Sequence, residues 1–255
     1  MDPHEAGTRL RKIGLFANLP DDEIDRIARC VTWRTTRAHS KIIDLSGEAR
    51  VVYFVSEGSF SVDISTPAGE VVQFRSVRAG GHFGELAVMA GERRSTTVIA
   101  ETPGVLAECG GAQFMNLLHA NPCLARNLAV SLARSVMLLS DRVFELSALE
   151  ARFRLYVELL RLLQDGEARA DGVYITNAPT HEKLANYIGV QREVVTRELR
   201  ALAEDGIVSI GRRKLIVHQP KRLRTIVERR AGVAAVQAIA REGRDSQPLH
   251  HAEVS

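Results

Sequence analysis

Residues 83–98 read FGELAVMAGERRSTTV. A Gly-Glu pair, a short apolar run and a second Gly lead into Arg-Arg-Ser-Thr-Thr, just ahead of a β-like segment. Scattered charges on a surface loop would account for the composition. The order of the residues suggests more, because amides at a helix start and a guanidinium fork both favour a charged oxygen. The stretch is a candidate pocket for a small phosphate-bearing ligand.

A second group of chemistry-bearing residues lies in PTHEKLANYIGVQREVVTRELRALAEDG, from Pro179 to Gly206. Thr180 can cap a first helix carrying Leu184, Ala185 and Ile188; Gly189 supplies a tight turn, and Gln191 starts a second helix with the stripe Val195, Leu199 and Leu202. Two short helices joined through Gly fit a helix-turn-helix, whose second helix lies in the major groove. Arg192, Glu193, Thr196 and Arg197 lie opposite the apolar stripe. Arg can give two hydrogen bonds to guanine O6 and N7, and a carboxylate can accept from cytosine N4. For Arg200 and Glu204 a solvated helix face is the better reading. IVSIGRRKLIVHQP then reads as a two-stranded wing whose basic turn, Gly211 to Lys214 with Arg212 in it, suits phosphate contact.

These residues need scaffolds to hold them, and 255 residues suffice for two domains of ordinary size. From Thr35 to about Leu106, short β-branched and aromatic runs alternate with Gly-containing turns, the pattern of a small barrel, roll or sandwich. Ahead of them, Asp21-Asp22-Glu23 followed by Ile24 and Ile27 predicts one or two short helices. Asn121 to Leu149 has no internal Gly and reads as one long helix, with Asn121 as N-cap and Pro122 at the first position. Ala125, Leu132, Leu139 and Leu146 at d, with Ala129, Val136 and Val143 at a, form a narrow seam suited to a parallel coiled coil with a second copy. A second amphipathic helix ending at Gly166 and the loop EARADG follow, and the junction at 147–150 is the expected domain boundary.

Charge and composition exclude several classes. Residues 151–230 hold 16 Lys/Arg against 10 Asp/Glu and the remainder 18 against 21, so the C-terminal half is the one to meet a polyanion. Cys30, Cys109 and Cys123 are far apart, and the eight His residues show no ligand spacing, so no metal is expected. No Ser/His/Asp or P-loop pattern supports an enzyme. No apolar run approaches the roughly twenty residues that cross a bilayer, and the N-terminus lacks a signal-peptide apolar region, so no membrane partner and a cytoplasmic location are expected.

Together these residues, from about Leu10 to Pro220, resemble the Crp/Fnr family of bacterial transcription regulators, and within it the cyclic-AMP receptor branch. The resemblance implies an α+β chain: an N-terminal β-roll (jelly-roll-like) cyclic-nucleotide-binding domain over 10–120, a long dimerisation helix and hinge over 121–149, and a C-terminal winged helix-turn-helix domain over 150–232. The tail, 233–255, is expected to be disordered. By the same resemblance Gly84, Glu85, Leu86, Arg94 and Ser95 form a phosphate-binding cassette, with Arg94 neutralising the cyclic phosphate and Glu85 accepting the ribose 2'-hydroxyl. Arg93 competes for the phosphate role, but the Ser-Thr-Thr register favours Arg94. Leu139 and Ser140 fall where the branch has a Thr-Ser pair at the adenine base; Leu139 offers the amino group no hydrogen bond, so the choice between cyclic AMP and cyclic GMP as effector stays open. Arg75 and Ser76 lie on a strand expected to line the pocket and could tune the base, but the better reading is exposed strand residues.

In the second domain Arg192, Glu193 and Arg197 correspond to readers of a TGTGA-type half-site, and Thr180 to a phosphate contact. Gln191 stands where the branch often has Ser. The implied partners are double-stranded DNA, a second copy of the chain and RNA polymerase. The alternative within the same fold is a haem or redox sensor, or regulation without a ligand. A clustered N-terminal Cys set is missing, and a haem ligand such as His82 would leave little trace in sequence.

Overall fold

The computed structural model describes residues 2–65, 71–176, 178–211 and 213–230, and the chain divides into two compact units, one up to Arg134 and one from Ser135 onward. Arg212 and the tail over 233–255 lie outside the described residues. The division falls inside the long helix; at the expected junction itself the long helix ends at Ala148 and Glu150 is the N-cap of the next.

The first unit opens with α1 (Pro3–Leu10), a 3-10 turn at Gly14–Phe16 and α2 (Asp21–Ala28). α1 was not anticipated, and it is held by Ala6 and Leu10, both buried. The strands are β1 (Val31–Thr36), β2 (Lys41–Ile43), β3 (Val51–Glu57), β4 (Ser59–Ser65), β5 (Val71–Arg78) and β6 (His82–Phe83). Then come α3 (Glu85–Ala90), β7 (Thr97–Ala100), β8 (Gly104–Gly110), α4 (Gly111–Ala120) and α5 (Pro122–Ala148). Two antiparallel four-stranded sheets, β1-β8-β3-β6 and β2-β7-β4-β5, make the expected β-roll.

β3 explains how this roll is packed. Its run VVYFVSE is apolar without alternation because both faces are covered. Tyr53 and Val55 join Phe60, Val62, Val77, Phe83 and Leu106 between the sheets, while Val52 and Phe54 join Leu10, Phe16, Ile24, Ile27, Phe114, Leu124 and Leu128 under the helices. The floor of any site at β6 and α3 is thus fixed from both sides.

α5 starts as expected: Asn121 Oδ1 accepts from the Leu124 amide at 2.9 Å, and Asn127 donates to the Leu15 and Ala17 carbonyls. Its first turns are anchored by buried Leu124 and Leu128, whereas Val136, Leu139, Val143 and Leu146 stand 42–63% exposed at heptad spacing. Against the sequence expectation, α5 is long and apolar enough by length and composition to cross a bilayer. Its Leu, Val and Ala residues raise the hydropathy, but the exposed apolar side chains of its second half form a stripe rather than a girdle.

The second unit contains the last turns of α5, α6 (Ala151–Leu162), a 3-10 turn at Leu163–Asp165, β9 (Glu167–Arg169) and β10 (Gly172–Thr176). α7 (His181–Ile188), α8 (Arg192–Glu204), β11 (Val208–Gly211) and β12 (Lys214–Val217) follow, and residues 220–230 are helical. The sheet order is β11-β12-β10-β9, so the expected two-stranded wing is part of a four-stranded sheet. EARADG, expected to be a loop, supplies β9 and the two-residue turn Ala170-Asp171, which sets Arg169 against Gly172 and brings Glu167 opposite Tyr174.

Within this unit a buried ionic network joins three helices. Glu145 of α5 is 1% exposed and is bonded by Arg161 of α6 and, at 3.0 Å, by Arg142. Arg142 also donates to the Tyr187 carbonyl of α7 and lies 4.4 Å from that ring's centroid. Removing one partner of such a group leaves an uncompensated charge, at a cost of about 3–5 kcal/mol. Glu145→Ala is expected to destabilise the second unit by that amount in urea unfolding.

Candidate functional site

The first site grows out of the β6–α3 corner. Phe83 is stacked on Tyr53, with ring centroids 5.0 Å apart, and fixes β6 against β3. Gly84 then turns at φ 88°, and a Cβ there would lie 2.9 Å from Arg94 Nη1 and 3.1 Å from the Val51 carbonyl. Only glycine lets the guanidinium approach this backbone so closely. No side chain caps α3, so its first-turn amides stay available to an acceptor.

Arg94 is 7% exposed, and its Nη1 and Nη2 donate to the carbonyls of Gly84, at 2.6 Å, and Val51. Burial pulls its pKa below the ordinary guanidinium value, opposed by Tyr53 and Glu85. A guanidinium has five N–H donors, so most remain for an incoming acceptor. Glu85 is 3% exposed; its Oε1 lies 3.9 Å from Arg75, and its Oε2 is buried without a hydrogen-bond partner. The corner therefore holds a buried cation answered by carbonyl oxygens and a carboxylate oxygen in need of a donor. A cyclic nucleotide offers the complement of both, a phosphodiester anion and a ribose hydroxyl.

The remaining residues of this group are placed differently. Leu86 is 58% exposed, and Ser95 and Arg93 are exposed. Arg75 corrects the sequence reading, since it turns toward Glu85 instead of standing free on its strand. Its register explains this: Arg75 is opposite Val62 on β4, and cross-strand partners share a face, here the one that carries buried Val62 and Val77. Alternation from Val77 was the signal in the sequence. Ser76, on the other face, donates to Glu101. Beside Glu85, burial pushes the His82 imidazole down, which keeps it neutral at neutral pH. Leu139 and Ser140 belong to the second unit, where the Ser140 hydroxyl donates to the Val136 carbonyl.

The second site is built by α7 and α8. Thr180 caps α7 by accepting from the Lys183 amide at 3.2 Å, which leaves its hydroxyl proton free to donate. Gly189 closes α7 at φ 66°. Val195, Leu199 and Leu202 are buried, and Arg192, Glu193, Thr196, Arg197, Arg200 and Glu204 line one open face of α8. Gln191 is its N-cap residue without a side-chain bond. Arg197 bonds Glu198 at 3.4 Å yet remains 70% exposed. The Ala178 amide donates to the Arg213 carbonyl, which ties the wing turn to the approach of α7.

Comparison with known proteins finds the same two domains. Residues 33–121 match the family model of the cyclic nucleotide-binding domain, and residues 154–226 that of the Crp-like helix-turn-helix domain. The Cyclic AMP receptor protein of Thermus thermophilus is 31% identical over 199 residues, covering 77% of this chain and 88% of its own. The cAMP-activated global transcriptional regulator CRP of Escherichia coli O157:H7 is 28% identical over 182 residues, 70% of this chain and 86% of its own. A solved CRP/FNR-family transcriptional regulator, also of Thermus thermophilus, superposes with a TM-score of 0.65 at 26% identity, over 78% of this chain and 100% of its own. With its two domains matched in order and a relative this similar over most of its length, the chain belongs to the Crp/Fnr family and is a DNA-binding transcription regulator with a cyclic nucleotide-binding domain.

Proposed function

We propose that the protein is a cytoplasmic homodimer that recognises a TGTGA-type palindrome when a cyclic nucleotide, cyclic AMP or cyclic GMP, occupies its β-roll. The observation that carries this reading is the pairing at one corner of buried Arg94 with the orphaned Oε2 of Glu85. Arg94 takes the phosphate, the α3 amides and Ser95 add donors, and Glu85 takes the 2'-hydroxyl. Leu139 supplies no hydrogen bond to distinguish the adenine amino group, so either purine is accommodated.

Dimerisation is supported by the exposed stripe Val136, Leu139, Val143 and Leu146, which has the spacing of a coiled-coil seam. Two copies then present two α8 helices to successive major grooves, about one helical turn apart. In each, Arg192, Glu193 and Arg197 read bases while Thr180 donates to a phosphate. The nucleotide acts by favouring one of two arrangements of the dimer. Cys109 lends nothing to a redox or haem alternative: burial pushes its thiol up to about 11, away from the thiolate a ligand requires.

Arg94→Leu is expected to weaken cyclic-nucleotide binding by about 2–5 kcal/mol, the cost of truncating a buried charge-paired group, in calorimetric titration with cyclic AMP and cyclic GMP. Undiminished heat from either nucleotide would remove Arg94 from the site. Arg192→Ala is expected to reduce preference for the TGTGA palindrome by about 1–3 kcal/mol while leaving binding to random duplex nearly unchanged, as read by competition in anisotropy. Val136→Asp with Val143→Asp is expected to yield monomers in sedimentation, and a variant that stays dimeric would place the interface elsewhere.

A further inference from the structure

We propose that His181 is a proton-dependent phosphate contact of the DNA-binding unit, its ring held against Thr196 and bonding the duplex only once a proton has been taken up at Nε2. His181 is the first residue of α7, next to the Thr180 cap, and is half-buried. Its Nδ1 lies 2.9 Å from Thr196 Oγ1. The Thr196 hydroxyl donates to the Arg192 carbonyl at 3.1 Å, so its one proton is committed. The hydrogen of the His–Thr bond therefore comes from the ring: Nδ1–H donates, and Nε2 carries the lone pair.

The location gives that lone pair its role. In a helix-turn-helix the first helix crosses the phosphate backbone and the second lies in the groove. His181 stands where these two surfaces join, on the first helix and bonded to the α8 face lined by Arg192, Glu193, Thr196 and Arg197. A bare Nε2 and a phosphate oxygen are both acceptors and repel each other. With a proton from solvent on Nε2 they form a charge-assisted hydrogen bond.

The surroundings disfavour that proton in the free protein. Partial burial pushes the ring below the ordinary histidine value, and from α8 Arg192 and Arg200 push in the same direction. Glu193 and Glu204 on that face of α8, and Glu182 and Lys183 on α7, complete the charged surroundings. A phosphate anion beside the ring reverses the balance and raises its pKa. Since the bound form is the protonated one, its contribution is fully present below the free-protein pKa. It is lost as the pH rises through the raised pKa of the complex, a window that opens below the ordinary histidine value and reaches upward from there.

Phosphate contact is independent of sequence, so the full chain can be tested on a mixed-sequence duplex by fluorescence anisotropy between about pH 5.5 and about pH 8. Binding of the unaltered chain is expected to strengthen by up to about tenfold per pH unit per protomer as pH falls through the window. His181→Gln, which keeps a donor for Thr196 but cannot titrate, is expected to lose that component, and His181→Arg to bind tightly at both ends of the range. Calorimetry of the unaltered chain in buffers of different ionisation enthalpy counts the protons directly, about one per protomer within the window, and needs no variant. Duplex binding without proton uptake, or an undiminished pH slope in His181→Gln, would overturn the proposal and leave the DNA-binding unit itself untouched; a bare Nε2 accepting from a base edge would give that result.

Discussion

The constraint on which the first unit turns is a cation in the wrong medium. Arg94 is nearly sealed from water, and its hydrogen bonds go to the carbonyls of Gly84 and Val51. Such a charge costs stability unless partial charges surround it, and an anion completes the arrangement far better than carbonyls do. Much of the neighbouring architecture follows from holding it there. Gly84 has no side chain because the guanidinium occupies that space, and β3 is buried on both faces so that the Val51 end stays in place. Glu85, with one oxygen near Arg75 and the other unsatisfied, carries a second unmet demand at the same corner.

The second unit uses charge in the opposite way. Glu145, Arg161 and Arg142 pair with one another and add a backbone bond to Tyr187. What they supply is rigidity, because the last turns of α5, the helix α6 and the first helix of the helix-turn-helix are joined by directional bonds in a region where packing alone is non-directional. The exposed seam residues Val136 and Val143 belong to the same unit.

Several elements could be read from the chain because their causes are local. The Asn121-Pro122 start of α5, the Gly189 turn between α7 and α8 and the apolar stripe of α8 follow from capping, positive φ and helical spacing. The hairpin turning at Ala170-Asp171 was passed over, because EARA has no β-branched residue to mark a strand; pairing with β10 makes it one. Helix α1 was missed because its burial depends on Ala6 and Leu10 finding a core built by distant strands.

The sequence by itself determined which groups exist and roughly where each lies along an element: a Gly-Glu turn, an Arg-Ser step some ten residues on, two helices around a glycine, and a heptad seam. Tertiary structure alone decided which of them face inward. It turned Arg94 in and Arg93 out, brought Arg75 to Glu85, and set His181 on Thr196. The physical reason is that burial and pairing are properties of surfaces made by segments far apart in the chain. A side chain's type states what it can bond, and only packing supplies the partner and removes the water.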